Sequence, residues 1–144
     1  MKSSVKALAL ALSLAGCPSG YEVCTTHYPS GEVWSVRYYA DGRPHRPWIA
    51  WYPDSTPRLQ THYSNGARTD RWVTVAPSGA VLFEREYSDD EPHGTWRRIH
   101  SNGQIASLKT FDRGRPVGTW SFYDEEGELL RTEEHGGETL PAGK

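Results

Sequence analysis

The chain has 144 residues, with 16 Lys and Arg against 18 Asp and Glu and a formal net charge of −2. That length suits one domain, and the balance excludes the strongly basic signature of a nucleic-acid binder. Six Trp, eight Tyr and three Phe rival the Leu, Ile and Val content beyond residue 16, which suits a thin sheet clad in large flat side chains.

The chain opens on Met1-Lys2-Ser3-Ser4-Val5-Lys6, and Ala7 to Ala15 is apolar except for Ser13. This run is shorter than the roughly 20 apolar residues a spanning helix needs. A basic start, a short apolar middle and a small-residue end predict a secretory signal helix over residues 1–16. Leu14-Ala15-Gly16-Cys17 resembles the bacterial lipobox. The resemblance implies lipid on the Cys17 thiol and cleavage just before it, giving a membrane-anchored lipoprotein of the bacterial cell envelope. Pro18 stands where an aspartate would signal inner-membrane retention, so the outer membrane is implied in a two-membrane cell. Cleavage removes Lys2 and Lys6 and makes the mature chain more acidic. Residues 17–27 are then a tether and first strand.

From Cys24 onward one period dominates. Trp48, Trp72, Trp96 and Trp120 recur every 24 residues, with Cys24 one period earlier. Gly31, Gly79, Gly103 and Gly127 recur with them, interrupted only by Ser55, and so do Tyr39, Tyr63, Tyr87, Phe111 and His135. A fixed period of this length marks a repeat architecture. Each period holds two turn signals, such as Ser101-Asn102-Gly103 and Ser64-Asn65-Gly66. Between them lie segments rich in Val, Ile, Tyr, Phe, Trp and Thr, which read as strands. Ten strands are expected, from Tyr21–Tyr28 through Glu128–Glu134. The fold class is all-β: an elongated antiparallel meander of stacked β-hairpins in a single sheet, able to curl into a half-pipe. Pro53 and Pro57 flank Ser55, and a wider or bulged hairpin is expected there. Residues 28–138 form the repeats and residues 139–144 a disordered tail.

Gly94-Thr95-Trp96 and Gly118-Thr119-Trp120, each leading to a turn that ends in glycine, resemble MORN-type repeats. The bacterial MORN repeat variant is the most similar form, with Gly118 to Gly127 as its clearest block. The resemblance implies a stack of hairpins with no shared catalytic residues. Some bacterial members carry an antitoxin label. Arg46 and Asp70 stand where Gly94 and Gly118 do, and Ser55, Asp90 and Glu138 replace turn glycines. These departures leave the pairing of the second and third repeats open.

No Gly-x-Ser-x-Gly, phosphate loop or His-Glu-x-x-His occurs, so no enzyme is expected. His45 and His93 lie two periods apart, about 19 Å across a sheet, too far to share a metal. No metal or cofactor is expected. Ser88-Asp89-Asp90-Glu91 and Asp124-Glu125-Glu126 read as solvated turns, and Cys24 as a small buried hydrophobe.

The candidate binding surface is a basic row, Arg37, Arg85 and Lys109, beside the aromatic row Tyr39, Tyr63, Tyr87 and Phe111. Residues two apart on a strand share a face, so the two rows would line one groove for an anionic or sugar-bearing ligand or a partner's acidic strip. Trp48, Trp72, Trp96 and Trp120 are assigned to packing between hairpins. The expected function is a non-catalytic, lipid-anchored repeat scaffold that presents an extended β surface to a protein or envelope partner. The alternative is an antitoxin or immunity-type protein that neutralises a specific toxin.

Overall fold

The computed structural model describes residues 20–136. The signal segment, Cys17 and the tail from residue 137 lie outside them. Twelve strands form one antiparallel sheet: β1 (Tyr21–His27), β2 (Val33–Ala40), β3 (Arg43–Pro44), β4 (Arg46–Trp51), β5 (Pro57–Ser64), β6 (Ala67–Val75), β7 (Val81–Ser88), β8 (Glu91–Pro92), β9 (Gly94–Ile99), β10 (Ile105–Asp112), β11 (Arg115–Tyr123) and β12 (Leu129–His135). Ten of them follow one another in chain order across the sheet, while β3 and β8 are two-residue strands pairing with β2 and β7. The expected meander is therefore present, and no helix occurs among the described residues.

Two kinds of turn alternate along the two rims. On one rim the turn closes through a pair of backbone bonds, as in His100 N–H to Gln104 O (2.8 Å) and Gly103 N–H to His100 O (3.0 Å). Tyr52 to Thr56 at 2.8 Å and Ser55 to Tyr52 at 2.9 Å repeat the pattern. The hairpin around Asp54 is thus no wider than its neighbours, while the bulge expected there is present, with Arg58 left unpaired between Ala50 and Trp51. Ser55 adopts the left-handed conformation of the missing glycine (φ 67°). Asp54 Oδ1 accepts from Thr56 N–H at 2.9 Å, an Asx turn that supports the loop without glycine.

The other rim carries two-residue turns with both central residues at positive φ: Asp41-Gly42, Asn65-Gly66, Asp89-Asp90 and Arg113-Gly114. This is the primed turn that matches the twist of paired strands. These turns dock on one another, with Gly66 N–H to Pro44 O at 2.8 Å, Asp90 N–H to Arg68 O at 3.0 Å and Gly114 N–H to Pro92 O at 2.8 Å.

Two bulges recur in the repeats. After each turn of the first rim the register slips by one, leaving Trp34, Arg58, Leu82, Ala106 and Leu130 unpaired with the preceding strand. Ahead of each repeat tryptophan, Arg46 (φ 64°), Asp70 (φ 56°), Gly94 (φ 68°) and Gly118 (φ 67°) take the same left-handed turn. Arg46 pairs with Tyr63 and Asp70 with Tyr87, as Gly94 does with Phe111 and Gly118 with His135. The second and third repeats therefore keep the pairing of the fourth and fifth, although two side chains occupy a conformation that favours glycine.

Packing is one-sided. The two most covered residues, Thr61 (2% exposed) and Ser35 (3%), lie with Ala50 on the face that carries Trp48. Cys24 stands on that face of the edge strand β1 and is half-buried.

Candidate binding face

The aromatic rows share one face and merge into one ladder. Ring centroids run Tyr39–Trp48 (5.2 Å), Trp48–Tyr63 (4.6 Å), Tyr63–Trp72 (5.3 Å), Trp72–Tyr87 (5.2 Å), Tyr87–Trp96 (5.3 Å), Trp96–Phe111 (4.7 Å), Phe111–Trp120 (5.1 Å) and Trp120–His135 (4.1 Å). All are inclined or edge-on, the geometry aromatic quadrupoles favour. The tyrosine row is therefore as much packing as the tryptophan row. Tyr87 is only 7% exposed, so it belongs to the ladder's interior and offers little surface to a ligand. Tyr39, Tyr63 and Phe111 are half-buried. Burial also pushes the Tyr63 hydroxyl above its ordinary pKa.

Each tryptophan is pinned from behind. The indole N–H donates to a carbonyl ten residues earlier: Trp48 to Tyr38 (2.9 Å), Trp72 to His62 (3.2 Å), Trp96 to Glu86 (2.8 Å) and Trp120 to Thr110 (3.0 Å). Backbone N–H groups of His45 and His93 share two of these carbonyls, at 2.9 and 3.0 Å. The indoles thus serve the ladder bonds loosened by the left-handed bulges.

The basic row lies on the aromatic ladder. The Arg37 guanidinium sits 5.7 Å from the Trp34 ring and 5.4 Å from Trp48. Arg85 sits 4.8 Å from Phe83 and 5.4 Å from Trp96, and the Lys109 ammonium 4.7 Å from Trp120 and 5.3 Å from Phe122. Stacking on a ring engages the flat of a guanidinium and leaves its N–H edge available. Thr61 interrupts the row between Arg37 and Arg85 and is buried.

The two faces differ in electrostatics. On the opposite face Glu84 holds both Arg71 and, at 3.3 Å, Arg97 in a cross-strand ladder. On the aromatic face no carboxylate of the described residues lies within 4.0 Å of Arg37, Arg85 or Lys109. Along β2 to β11 the positions in register with the ladder carry one acid, the exposed Asp70 opposite Tyr87; Glu22 and Glu133 sit on the two edge strands. Arg98 stands on this face too, paired with Phe83 on one side and Ser107 on the other. The sequence reading missed it because its counterparts one period away, Thr74 and Phe122, are not basic.

The histidines are dispersed in other roles. His93 lies 3.5 Å from Asp112, His62 contacts Arg71 O at 3.1 Å, and His100 contacts Tyr123 O at 3.0 Å.

No curated protein matches the chain significantly. Residues 92–113 and 116–135, which hold the β8–β10 and β11–β12 units, match the family model of the MORN repeat variant. Over these two units the chain is similar to MORN-repeat proteins, and the same backbone recurs in the repeats before them.

Proposed function

We propose that the protein is a non-catalytic, lipid-anchored repeat scaffold of the bacterial envelope that binds a protein partner through its basic–aromatic face. One observation carries this reading: among the described residues Arg37, Arg85 and Lys109 are held on aromatic rings with no carboxylate partner, whereas Arg68 and Arg131 of the same face and Arg71 and Arg97 of the opposite face are each paired to an acid. Unneutralised charge on a preorganised surface favours recognition and fast association more than it favours folding. A sheet of stacked repeats presents such a row across many strands at about 4.8 Å per strand. The anchor rests on Leu14-Ala15-Gly16-Cys17 and would hold the sheet beside the membrane.

The test is crosslinking and affinity capture of the intact protein from its own cells, beside a variant carrying Arg37→Glu, Arg85→Glu and Lys109→Glu. A stoichiometric partner lost in the variant is expected. The same partners in both samples would overturn the use of this face. A captured partner that is toxic when expressed alone would make the scaffold an immunity protein. Cys17→Ser should release the folded protein into the soluble fraction, and retention at the membrane would sink the anchor.

A further inference from the structure

The cations of the aromatic face are not evenly spread. Around Trp96 they form a cluster that the other repeats lack. Lys109 is the cross-strand partner of Trp96 on one side, and Arg85 stacks on the same indole from the other. One step along the strand, Arg98 stands between Phe83 and Ser107. Phe83, Arg85, Trp96, Arg98, Ser107 and Lys109 border a shallow depression. Two periods earlier the counterparts of Arg98 and Lys109 are Ala50 and Thr61, both buried.

We infer that this depression docks an extended acidic segment of a partner polypeptide, with carboxylates spread over about 10 Å. The inference rests on the scaffold reading and names the chemistry of its partner.

Three observations select this occupant. The first is charge: four cations border the depression and no acid does, and of the four only Arg97 is paired to a carboxylate, Glu84 on the opposite face. The second is spacing. Arg85 is drawn toward Phe83 and Lys109 toward Trp120 and Phe122, so the cations are splayed rather than aimed at one point. A single phosphate needs converging donors. Carboxylates on alternate residues of an extended chain lie about 7 Å apart and suit the splayed set. The third is ring access. Tyr87 and Phe111 flank Trp96 at 5.3 and 4.7 Å, and Arg85 covers it. No free indole face is left for a sugar to stack on, which argues against an acidic glycan.

The experiment titrates the purified full-length protein with a fluorescent hexaglutamate peptide at low salt, following anisotropy. Saturable binding is expected, weakening as salt rises. Arg98→Glu should weaken it at least about tenfold, the loss typical of removing one charge-assisted contact. Arg115→Glu makes the same charge change on an exposed residue outside the depression and should alter it far less. Thermal melts of both variants check that the sheet is intact. No saturable binding, or equal losses in the two variants, would overturn the site. Tighter binding of polygalacturonate than of hexaglutamate would overturn the peptide assignment in favour of a glycan. A cellular partner lost with Arg37→Glu but kept with Arg98→Glu would leave the scaffold reading standing and remove this site.

Discussion

Trp96 donates its indole N–H to the carbonyl of Glu86 at 2.8 Å, and its ring lies between Tyr87 and Phe111. One side chain therefore serves two needs: it satisfies a backbone acceptor beside a bulge and bridges two hairpins. The two can be separated. Trp96→Phe keeps most of the ring contact and strips the donor, and should cost about 1 kcal/mol, the net value of one hydrogen bond. Trp96→Ala removes both and should cost about 3 kcal/mol, the low end for a large aromatic because the ring is half-exposed. Urea unfolding of the two variants checks the order. An Ala variant no worse than the Phe variant would mean the ladder contributes little.

The left-handed bulge ahead of each tryptophan gives the second prediction. Gly118 (φ 67°) and Asp70 (φ 56°) occupy equivalent places, but an aspartate pays a steric cost there that glycine does not. Gly118→Ala should lose about 1 kcal/mol through backbone strain alone, since nothing lies within 4 Å of the added Cβ. Asp70→Gly should gain about 0.5 kcal/mol, the strain relief being partly offset by the greater unfolded-state entropy of glycine. Opposite shifts in the melting temperatures of the two variants are the expected outcome. Shifts of the same sign would refute the strain argument.

How much of this was legible in the sequence depends on whether a feature shows itself as a residue type. The period, the strands and the turns were readable because Trp48, Trp72, Trp96, Trp120 and the turn glycines repeat. The bulge was expected only beside Pro57, where Arg58 carries it; at Trp34, Leu82, Ala106 and Leu130 it was not legible, because turn geometry and backbone bonding set it and no side chain marks it. Ser55 and Arg46 looked like damage, yet the neighbouring repeats hold their backbone in the glycine conformation. The basic row was found by recurrence, and Arg98 was missed because it does not recur. That the Trp and Tyr rows form one ladder was hidden because it depends on cross-strand register, which a period alone does not fix.

A missing hydroxyl supplies the third prediction. Tyr28 Oη donates to Trp51 O at 2.9 Å and Tyr52 Oη to Val75 O at 2.8 Å, linking successive hairpins along the first rim. Ala76 occupies the next equivalent position and has no side chain for the link, although its turn closes the same way, with Ala76 N–H to Ala80 O at 2.8 Å. Ala76→Tyr should place a hydroxyl beside the Ile99 carbonyl and stabilise the sheet by about 1 kcal/mol. Urea midpoints of the wild type and the variant decide it. A lower midpoint for the variant would show that this rim has no room for the ring.

The fourth prediction concerns acid. Asp90 replaces a turn glycine, and its carboxylate accepts from the Arg68 backbone N–H and from Arg68 Nε, each at 3.0 Å. Arg68 Nη2 also reaches the Asp90 carbonyl at 2.8 Å. The Arg68 backbone bond, and then its side chain, hold the Asp90 carboxyl below its ordinary pKa of 3.8. A carboxyl whose pKa is depressed by folding stabilises the native state above its unfolded pKa, and this contribution fades as pH falls toward the folded value. The stability of the sheet should therefore decline as pH drops below about 4, the ordinary carboxylate range. Asp90→Asn cannot titrate and should start less stable at neutral pH, with a shallower decline in acid. Asp54 and Glu32, which accept hydrogen bonds from Thr56 and Ser30, are depressed in the same direction. Some acid sensitivity should thus remain in the variant. Melting temperatures measured across that pH range for both proteins separate the contributions, and parallel curves would show that the Asp90–Arg68 contact carries no pH-dependent stability.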